Sequence, residues 1–184
     1  EQAAARLAGL VAQLAPGGSL IVLEPALREP TRALHQTRDA LRAHPGVTLF
    51  GPCVHHAACP MLAGPKDWCH EDVDATLPDA LGQVAREAGL RFERLTYAYL
   101  TLRRAGDGAA NVADLLSIRG PQATEPYRVV SQVLASKGKR EWFACGAAGR
   151  VRVTRLDRHA SAVNAGFGSA QRGDVVRLPV LAAG

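Results

Sequence analysis

The segment GPCVHHAACPMLAGPKDWCHED, residues 51–72, carries three of the four cysteines of this 184-residue chain. His55, His56 and His70 lie among and beside them. The segment is rich in proline and glycine and has few large apolar residues, so it cannot form a core of its own and needs a crosslink. Because disulfides rarely persist in a reducing compartment, clustered cysteines of this kind indicate a metal site there.

The fourth cysteine lies far along the chain and completes the set that a closed four-coordinate site requires. Five residues separate Cys53 from Cys59, nine separate Cys59 from Cys69, and seventy-five separate Cys69 from Cys145. A site that used all four thiolates would attach the cysteine segment to the C-terminal third of the chain.

The spacing of the cysteines leaves the kind of metal open. Zinc sites usually present paired, closely spaced cysteines, whereas the gaps here are irregular, and the Cys59-Pro60 step is similar to iron–sulfur cluster loops. Four unrelated thiols are the remaining alternative. The histidines of the segment are expected beside the site or on the surface, not as ligands. His35 and His44 are expected to face solvent.

Helix and strand signals alternate through the first half of the chain and predict an α/β layer pattern. The strand at 19–26 is a continuous apolar run, which is typical of a strand buried on both faces. Leu81, Val84 and Ala88 mark the expected buried face of a helix that follows the cysteine segment. The predicted elements are helix 3–14, strand 19–26, helix 31–43, strand 47–51 and helix 76–89.

From Leu95 onward, β-branched and aromatic residues and glycine-bearing turns predict strands. We therefore divide the chain into residues 1–127, with a cysteine-rich insert at 51–76, and a small basic β-rich module at 128–184. The predicted strands are 95–104, 127–134, 141–146, 150–156 and 174–180, with a short apolar stretch at 112–118 and a Pro/Gln/Thr linker after it.

The basic charge of the chain lies in its C-terminal third. The net charge is +5; residues 128–177 hold ten basic and three acidic groups, whereas residues 1–127 hold twelve basic and fourteen acidic groups. A basic face suits phosphate contacts with RNA, and a cationic surface without a partner is the alternative. If seven phosphates are neutralised, the logarithm of affinity should fall with the logarithm of salt concentration at a slope of about −5 to −6. The residues expected to contact RNA are Lys137, Lys139, Arg140, Arg150, Arg152, Arg155 and Arg158.

Alternation along the strand at 150–156 gives this basic face its expected geometry. A period of two places Arg150, Arg152 and Arg155 on one side of the strand and the valines between them on the other. Trp142 and Phe143 lie beside the basic turn and are expected to stack on unpaired bases.

The ends and the polar residues of the chain limit its location and chemistry. No run of eighteen apolar residues and no secretory signal is present, so we expect no membrane segment and an intracellular location. The chain starts at Glu1 rather than Met, which suggests a fragment or a processed product. No Ser-His-Asp or Cys-His catalytic set is found. Glu71, Asp72 and Asp74 are expected to form a solvated acidic run.

Three stretches of the sequence resemble the Rsm22-type methyltransferase-like family, whose mitochondrial and bacterial members are tied to the small ribosomal subunit. LAPGGSLIVLEPALREPTRALHQTRDAL, at 14–41, is similar to the segment that enters the fifth sheet strand of that family. RVVSQVLASKGKREWFACGAAG, at 128–149, resembles its C-terminal cysteine segment. The most specific stretch is the cysteine string, with Pro52-Cys53, His55, Cys59-Pro60 and Trp68-Cys69-His70.

The resemblance implies a 4Fe-4S cluster and a methyltransferase-like fold. The cluster would be held by Cys53, Cys59, Cys69 and Cys145. The chain would form the C-terminal half of a class I methyltransferase Rossmann-like sheet, with the cluster insert and a small C-terminal β module. S-adenosylmethionine binds at a Gly-rich turn that would precede residue 1, so its binding would need a missing N-terminal half.

The function implied is that of an rRNA-binding factor in small-subunit assembly or translation, with a structural cluster. Its expected location is the bacterial cytoplasm or the mitochondrial matrix. Two alternatives stay open: an active S-adenosylmethionine-dependent RNA methyltransferase, and a zinc-stapled protein-interaction module. Whether the protein is an enzyme also stays open.

Overall fold

A computed structural model describes residues 2–90, 94–108, 111–115 and 124–179. It is a mixed α/β structure with two antiparallel sheets. No helix in the described ranges combines the length and apolar character needed to cross a bilayer. The elements are α1 (Gln2–Ala12), β1 (Leu20–Pro25), α2 (Arg28–Leu41), β2 (Val47–Gly51), β3 (Glu71–Asp74), α3 (Asp79–Glu87), β4 (Arg94–Arg104), α4 (Val112–Leu115), β5 (Thr124–Val129), β6 (Leu134–Ser136), β7 (Lys139–Gly146), β8 (Gly149–Leu156) and β9 (Val175–Pro179).

The first sheet has the order β1-β4-β2, and β3 also pairs with β4. β2 pairs with β4 from Arg104 to Thr101, whereas β3 pairs with it from Tyr97 to Arg94. The two short strands therefore leave a gap along β4 at residues 98–100. The cysteine segment starts at the end of β2 and ends at β3, so the chain connectivity places it beside this gap.

Helices α1 and α2 pack on one face of the first sheet and form the larger hydrophobic core with it. Val11 and Leu102 are fully buried in this core. The opposite face carries Ile21 and Leu23, which are 60% and 63% exposed. The prediction that the strand at 19–26 is buried on both faces is therefore wrong, because the described helices that pack on β1 cover one face.

The second sheet has the order β6-β7-β5-β9, with β8 paired to β7. Its core is formed by Tyr127, Val129, Trp142 and Ala144. The strand predicted at 127–134 ends at Val129 as β5, and the chain re-enters the sheet as β6. The proposed boundary between residues 127 and 128 falls inside β5.

The helix predicted at 76–89 is observed as α3, but its predicted buried face is wrong. Leu81 and Val84 are 56% and 61% exposed, and no residue of α3 is buried. Amphipathic spacing identified the helix without identifying a partner for its apolar face. The linker before β5 and the ends of the stretches at 112–118 and 174–180 lie outside the described residues.

Replacing Leu102 by Ala should lower the free energy of unfolding by about 3 kcal/mol, because the buried side chain leaves a cavity between sheet and helices. Leu23→Ala in the adjacent strand is the matched control and should change stability by less than about 0.5 kcal/mol, since this side chain is exposed. Urea unfolding followed by circular dichroism measures both changes. Equal losses would contradict this description of the two faces.

Candidate metal centre

All four cysteines line one cavity between the two sheets, and none of them forms a disulfide. Cys59, Cys69 and Cys145 belong to a small apolar cluster around Met61 and Val130. The structure thus brings Cys145 to the thiols of the insert, as the sequence predicted. Their role as metal ligands stays a prediction.

One face of α2 holds the backbone of the cysteine segment. Residues 32, 35, 38 and 39 share this face, because residues three and four apart are neighbours on a helix. The Asp39 carboxylate accepts the backbone N–H of Cys59 at 2.9 and 3.1 Å. His35 Nε2 accepts the backbone N–H of Cys69 at 3.1 Å. The expectation that His35 faces solvent is therefore wrong, because the insert covers it.

Arg32, on the same face of α2, bonds the loop between Cys59 and Cys69. Its Nη1 donates to the carbonyl oxygens of Met61, Gly64 and Asp67 at 3.0, 2.7 and 2.7 Å. Backbone carbonyls in an irregular loop have no strand or helix partner, so a planar guanidinium that reaches several of them fixes the course of the loop.

Arg38 does the same for the first part of the insert. Its side chain is 2% exposed and pairs with Asp39 at 2.6 Å. It donates to the carbonyl oxygens of Ala57 at 2.6 Å and of His55 at 2.8 Å. The positions of the insert thiols therefore depend on two arginines that neither the cysteine pattern nor the basic module indicated.

Cys145 is presented by β7, beside Arg128 of β5 in the strand register. The next residue is Gly146, where a Cβ would lie 2.7 Å from the Tyr127 ring, so a larger residue there would shift the strand. Arg128 also forms a buried ion pair with Glu71 of β3. The expectation that Glu71 belongs to a solvated acidic run is wrong, because the second sheet packs over it.

Two nitrogens approach cysteine sulfurs. Arg128 Nη1 donates to Cys69 Sγ at 3.6 Å, and His55 Nε2 lies 3.3 Å from Cys145 Sγ. Hydrogen bonds to thiolate sulfur stabilise its negative charge and tune a bound metal. Neither contact is visible in the sequence, because each joins residues that lie more than fifty positions apart.

Burial favours the uncharged form of four groups of the cavity, two histidines and two cysteines. It lowers the pKa of His35 and of His55 to about 4, and the Arg38 charge adds to both effects. Burial raises the pKa of Cys59 to about 12. It also raises the pKa of Cys145, and the charges of the other three cysteines raise it further. A metal that binds these thiols must therefore displace their protons.

Four thiols are the ligand set of both four-iron clusters and closed zinc sites. Within the described part of the chain, no three His, Cys, Asp or Glu side chains lie close enough together to hold one metal ion. Zinc needs its four sulfurs about 2.3 Å from one point. In a four-iron cluster each thiolate binds a different iron, so the sulfurs can lie further apart. The apolar cavity and the N–H donors beside two sulfurs suit that chemistry.

Several of the predicted RNA-contacting residues have acidic partners. Lys139 lies 2.7 Å from a Glu141 carboxylate oxygen, and Arg152 lies 3.7 Å from the other. Arg150 pairs with Asp67 of the insert at 3.1 Å. The charges of these three side chains are therefore partly neutralised. The ion pair of Arg150 with Asp67 also joins the insert to the β module.

Arg155 lies on the opposite face of β8 from Arg150 and Arg152, so the expectation that it shares their face is wrong. Its Nη1 donates to the Asn164 carbonyl at 2.9 Å, and its guanidinium lies over the Phe167 ring at 5.3 Å. Trp142 is 3% exposed and belongs to the core, so it cannot stack on a base as expected.

Lys137, Arg140 and Arg158 are exposed, and no described carboxylate pairs with them. They lie at one end of the second sheet: the Asp157 N–H donates to the Gly138 carbonyl at 2.9 Å, which joins the two turns that carry Lys137 and Arg158. We call these three residues the basic end of the module.

The comparison with known families gives this site a context. A family model described as "Mitochondrial small ribosomal subunit Rsm22" matches residues 5–174. The chain belongs to the Rsm22 family. The Rsm22 match includes the cysteine segment and Cys145, and it confirms the resemblance indicated by the cysteine string. A search of curated proteins found no match.

Arg32→Ala should speed hydrogen exchange of the backbone amides between residues 59 and 69, because it removes the guanidinium that donates to three carbonyls of this loop. Arg28→Ala, an exposed change on the same helix, is the matched control and should leave these amides unaffected. Mass spectrometry of deuterium uptake measures the difference. The same exchange rate in both variants would contradict the role of Arg32 in holding the loop.

Proposed function

We propose that this Rsm22-family chain is an rRNA-binding factor of small ribosomal subunit assembly or translation, stabilised by a structural 4Fe-4S cluster. Cys53, Cys59, Cys69 and Cys145 would hold the cluster. The observation that carries the proposal is the single cavity lined by all four thiols, three from the insert and one from the second sheet. Membership of a family named for the mitochondrial small subunit supports the ribosomal role, in the mitochondrial matrix or the bacterial cytoplasm.

The cluster would supply iron–thiolate bonds that crosslink the two sheets. By analogy with a disulfide, closing the loop between Cys69 and Cys145 would constrain the unfolded chain by roughly 4 kcal/mol, before any metal bonding. The residues of the chain do the rest: α2 orders the insert, and β7 presents Cys145. The crosslink would set the orientation of the β module.

The basic end supports contact with RNA phosphates. Lys137, Arg140 and Arg158 are exposed and have no described carboxylate partner, whereas Arg150 and Arg152 are paired. Three phosphate contacts predict a salt slope of about −2 to −3, which is shallower than seven contacts would give. We therefore assign RNA binding to one end of the module and not to the whole face of β8.

The topology of the first sheet supports a Rossmann-like sheet of the methyltransferase type. β1 and β2 are both antiparallel to β4, which lies between them, so they run parallel to each other. Parallel sheets with one antiparallel strand near an edge are common in doubly wound folds. Among the described strands, β1 pairs with β4 along one edge. The other edge of β1 would pair with a further strand of such a sheet, and the exposed Ile21 and Leu23 would pack against a further helix.

The alternative is an active RNA methyltransferase, which would need a Gly-rich cofactor turn after a strand. The loop between β4 and α4 carries Gly106 and Gly108, but Asn111 stands where the G-x-G-x-x-G fingerprint has its third glycine, and α4 has only four residues. Heat released on titration of this chain with S-adenosylmethionine would favour the enzyme over the proposed binding factor.

Anaerobic purification should yield iron and sulfide in equal amounts with a brown chromophore, because four thiolates are the usual ligands of such a cluster. Cys145→Ser should lose the chromophore and RNA binding together, while the helical signal of the first half persists. Ala147→Ser, an exposed change in the same hairpin, is the matched control. Zinc in place of iron would favour the zinc-stapled module. RNA affinity retained by Cys145→Ser would separate the cluster from RNA binding.

Arg140→Gln should weaken RNA binding and reduce the salt slope by about 1, because it removes an exposed phosphate-binding cation. Arg152→Gln on the neighbouring strand is the matched control and should change the slope less, since Glu141 lies beside it. Fluorescence anisotropy with labelled RNA across a salt series measures both. A larger change in affinity and salt slope in Arg152→Gln than in Arg140→Gln would contradict the basic end as the RNA contact and would favour the face of β8.

A further inference from the structure

Two contacts between nitrogen and sulfur join the two halves of the molecule in opposite directions. One half is the first sheet with the cysteine insert, and the other half is the second sheet. Arg128, on β5, donates to the sulfur of Cys69 in the insert at 3.6 Å. His55, in the insert, has Nε2 3.3 Å from the sulfur of Cys145 on β7. Each half thus supplies a nitrogen to a cysteine of the other half.

A second side-chain bond holds Arg128 in place, and a bond to its backbone together with burial holds His55. Arg128 is 4% exposed, and its other terminal nitrogen pairs with Glu71. His55 is 5% exposed, and its backbone carbonyl accepts a hydrogen bond from Arg38 at 2.8 Å. In such a buried setting a hydrogen bond is stronger than in water, and a donor that is fixed cannot turn away from its sulfur.

We propose that Arg128 and His55 link the redox state of the cluster to the contact between the two halves, so that reduction tightens the contact. This inference rests on the proposed cluster. The step is the transfer of one electron from an external one-electron donor to the iron atoms, and no bond to the protein breaks. The added negative charge is shared with the cysteine sulfurs. N–H donors stabilise the more negative state, with the ring proton of His55 on Nε2, so both bonds strengthen.

The link acts in both directions. If reduction strengthens the contact between the halves, the contact must favour the reduced cluster by the same free energy. The two donors therefore raise the reduction potential, and losing either one lowers it. Arg128 and His55 act through the sulfurs, so they are positioning residues.

Four variants separate the hydrogen bonds from charge and packing. Arg128→Lys keeps the positive charge, but its single nitrogen cannot occupy the positions of both Nη1, which bonds Cys69, and Nη2, which pairs with Glu71. His55→Phe removes the donor and keeps the ring, whereas His55→Gln restores an N–H near the position of Nε2. His70→Phe is the control, because His70 lines the same cavity and no hydrogen bond joins its ring to a sulfur among the described residues.

Optical redox titration of the loaded protein should give a lower potential for Arg128→Lys and His55→Phe than for the wild type or His70→Phe. His55→Gln should recover part of the loss. Hydrogen exchange in β5 and β7 should be slower after dithionite reduction of the wild type, and this difference should disappear when Arg128→Lys and His55→Phe are combined.

The outcomes distinguish this inference from the cluster itself. Unchanged or raised potentials in a fully loaded protein would overturn the inference and leave the cluster in place. Exchange rates that do not depend on the redox state would do the same. A wild-type protein without iron and sulfide would overturn the cluster and this inference together.

Discussion

The guanidinium groups that bond the backbone of the cysteine segment are the constraint on which the site depends. The segment has little apolar surface, so burial alone cannot order it, and an irregular loop leaves carbonyl groups without partners. Arg32 and Arg38 bond five of those carbonyls from one face of α2. The adjoining side of the same helix packs on the first sheet through Leu34 and Leu41. Helix α2 therefore attaches the cysteine segment to the first sheet and orders a segment that has no core of its own.

The ion pair between Arg128 and Glu71 fixes the position of the two sheets relative to each other. Burying two charges is expensive, and such a pair adds little net stability compared with apolar residues of the same volume. Its effect is on position: Arg128 is the register partner of Cys145, and Glu71 lies two residues after Cys69. Because a buried charge cannot leave its partner without a large loss, the pair keeps Cys145 close to Cys69 before any metal binds.

Local signals in the sequence predicted most elements, because apolar spacing and Pro/Gly stops act over a few residues. Burial was predicted less well, since it depends on what packs against an element: α3 has the spacing of a packed helix and is exposed. Polar residues such as His35 and Glu71 were expected in solvent, and distant segments cover them. Arg155 was predictable, because it shares odd numbering with Val151 and Val153 and so lies on their face of the strand.

Net charge overstates the number of cations that are free to bind a partner, for the same reason. In the basic third of the chain, Arg128, Arg155 and Arg172 bond groups of the protein, and Glu141 and Asp67 partly neutralise others on the face of β8. Arg140 and Arg155 are direct cross-strand neighbours. Two like charges in such a position repel each other and destabilise the strand pair. Both side chains lie on the same face of the sheet; Asn164 and Phe167 bind the Arg155 guanidinium, whereas Arg140 is exposed. In the proposed RNA complex, a phosphate beside Arg140 would relieve that repulsion and would stabilise the end of the sheet that it contacts.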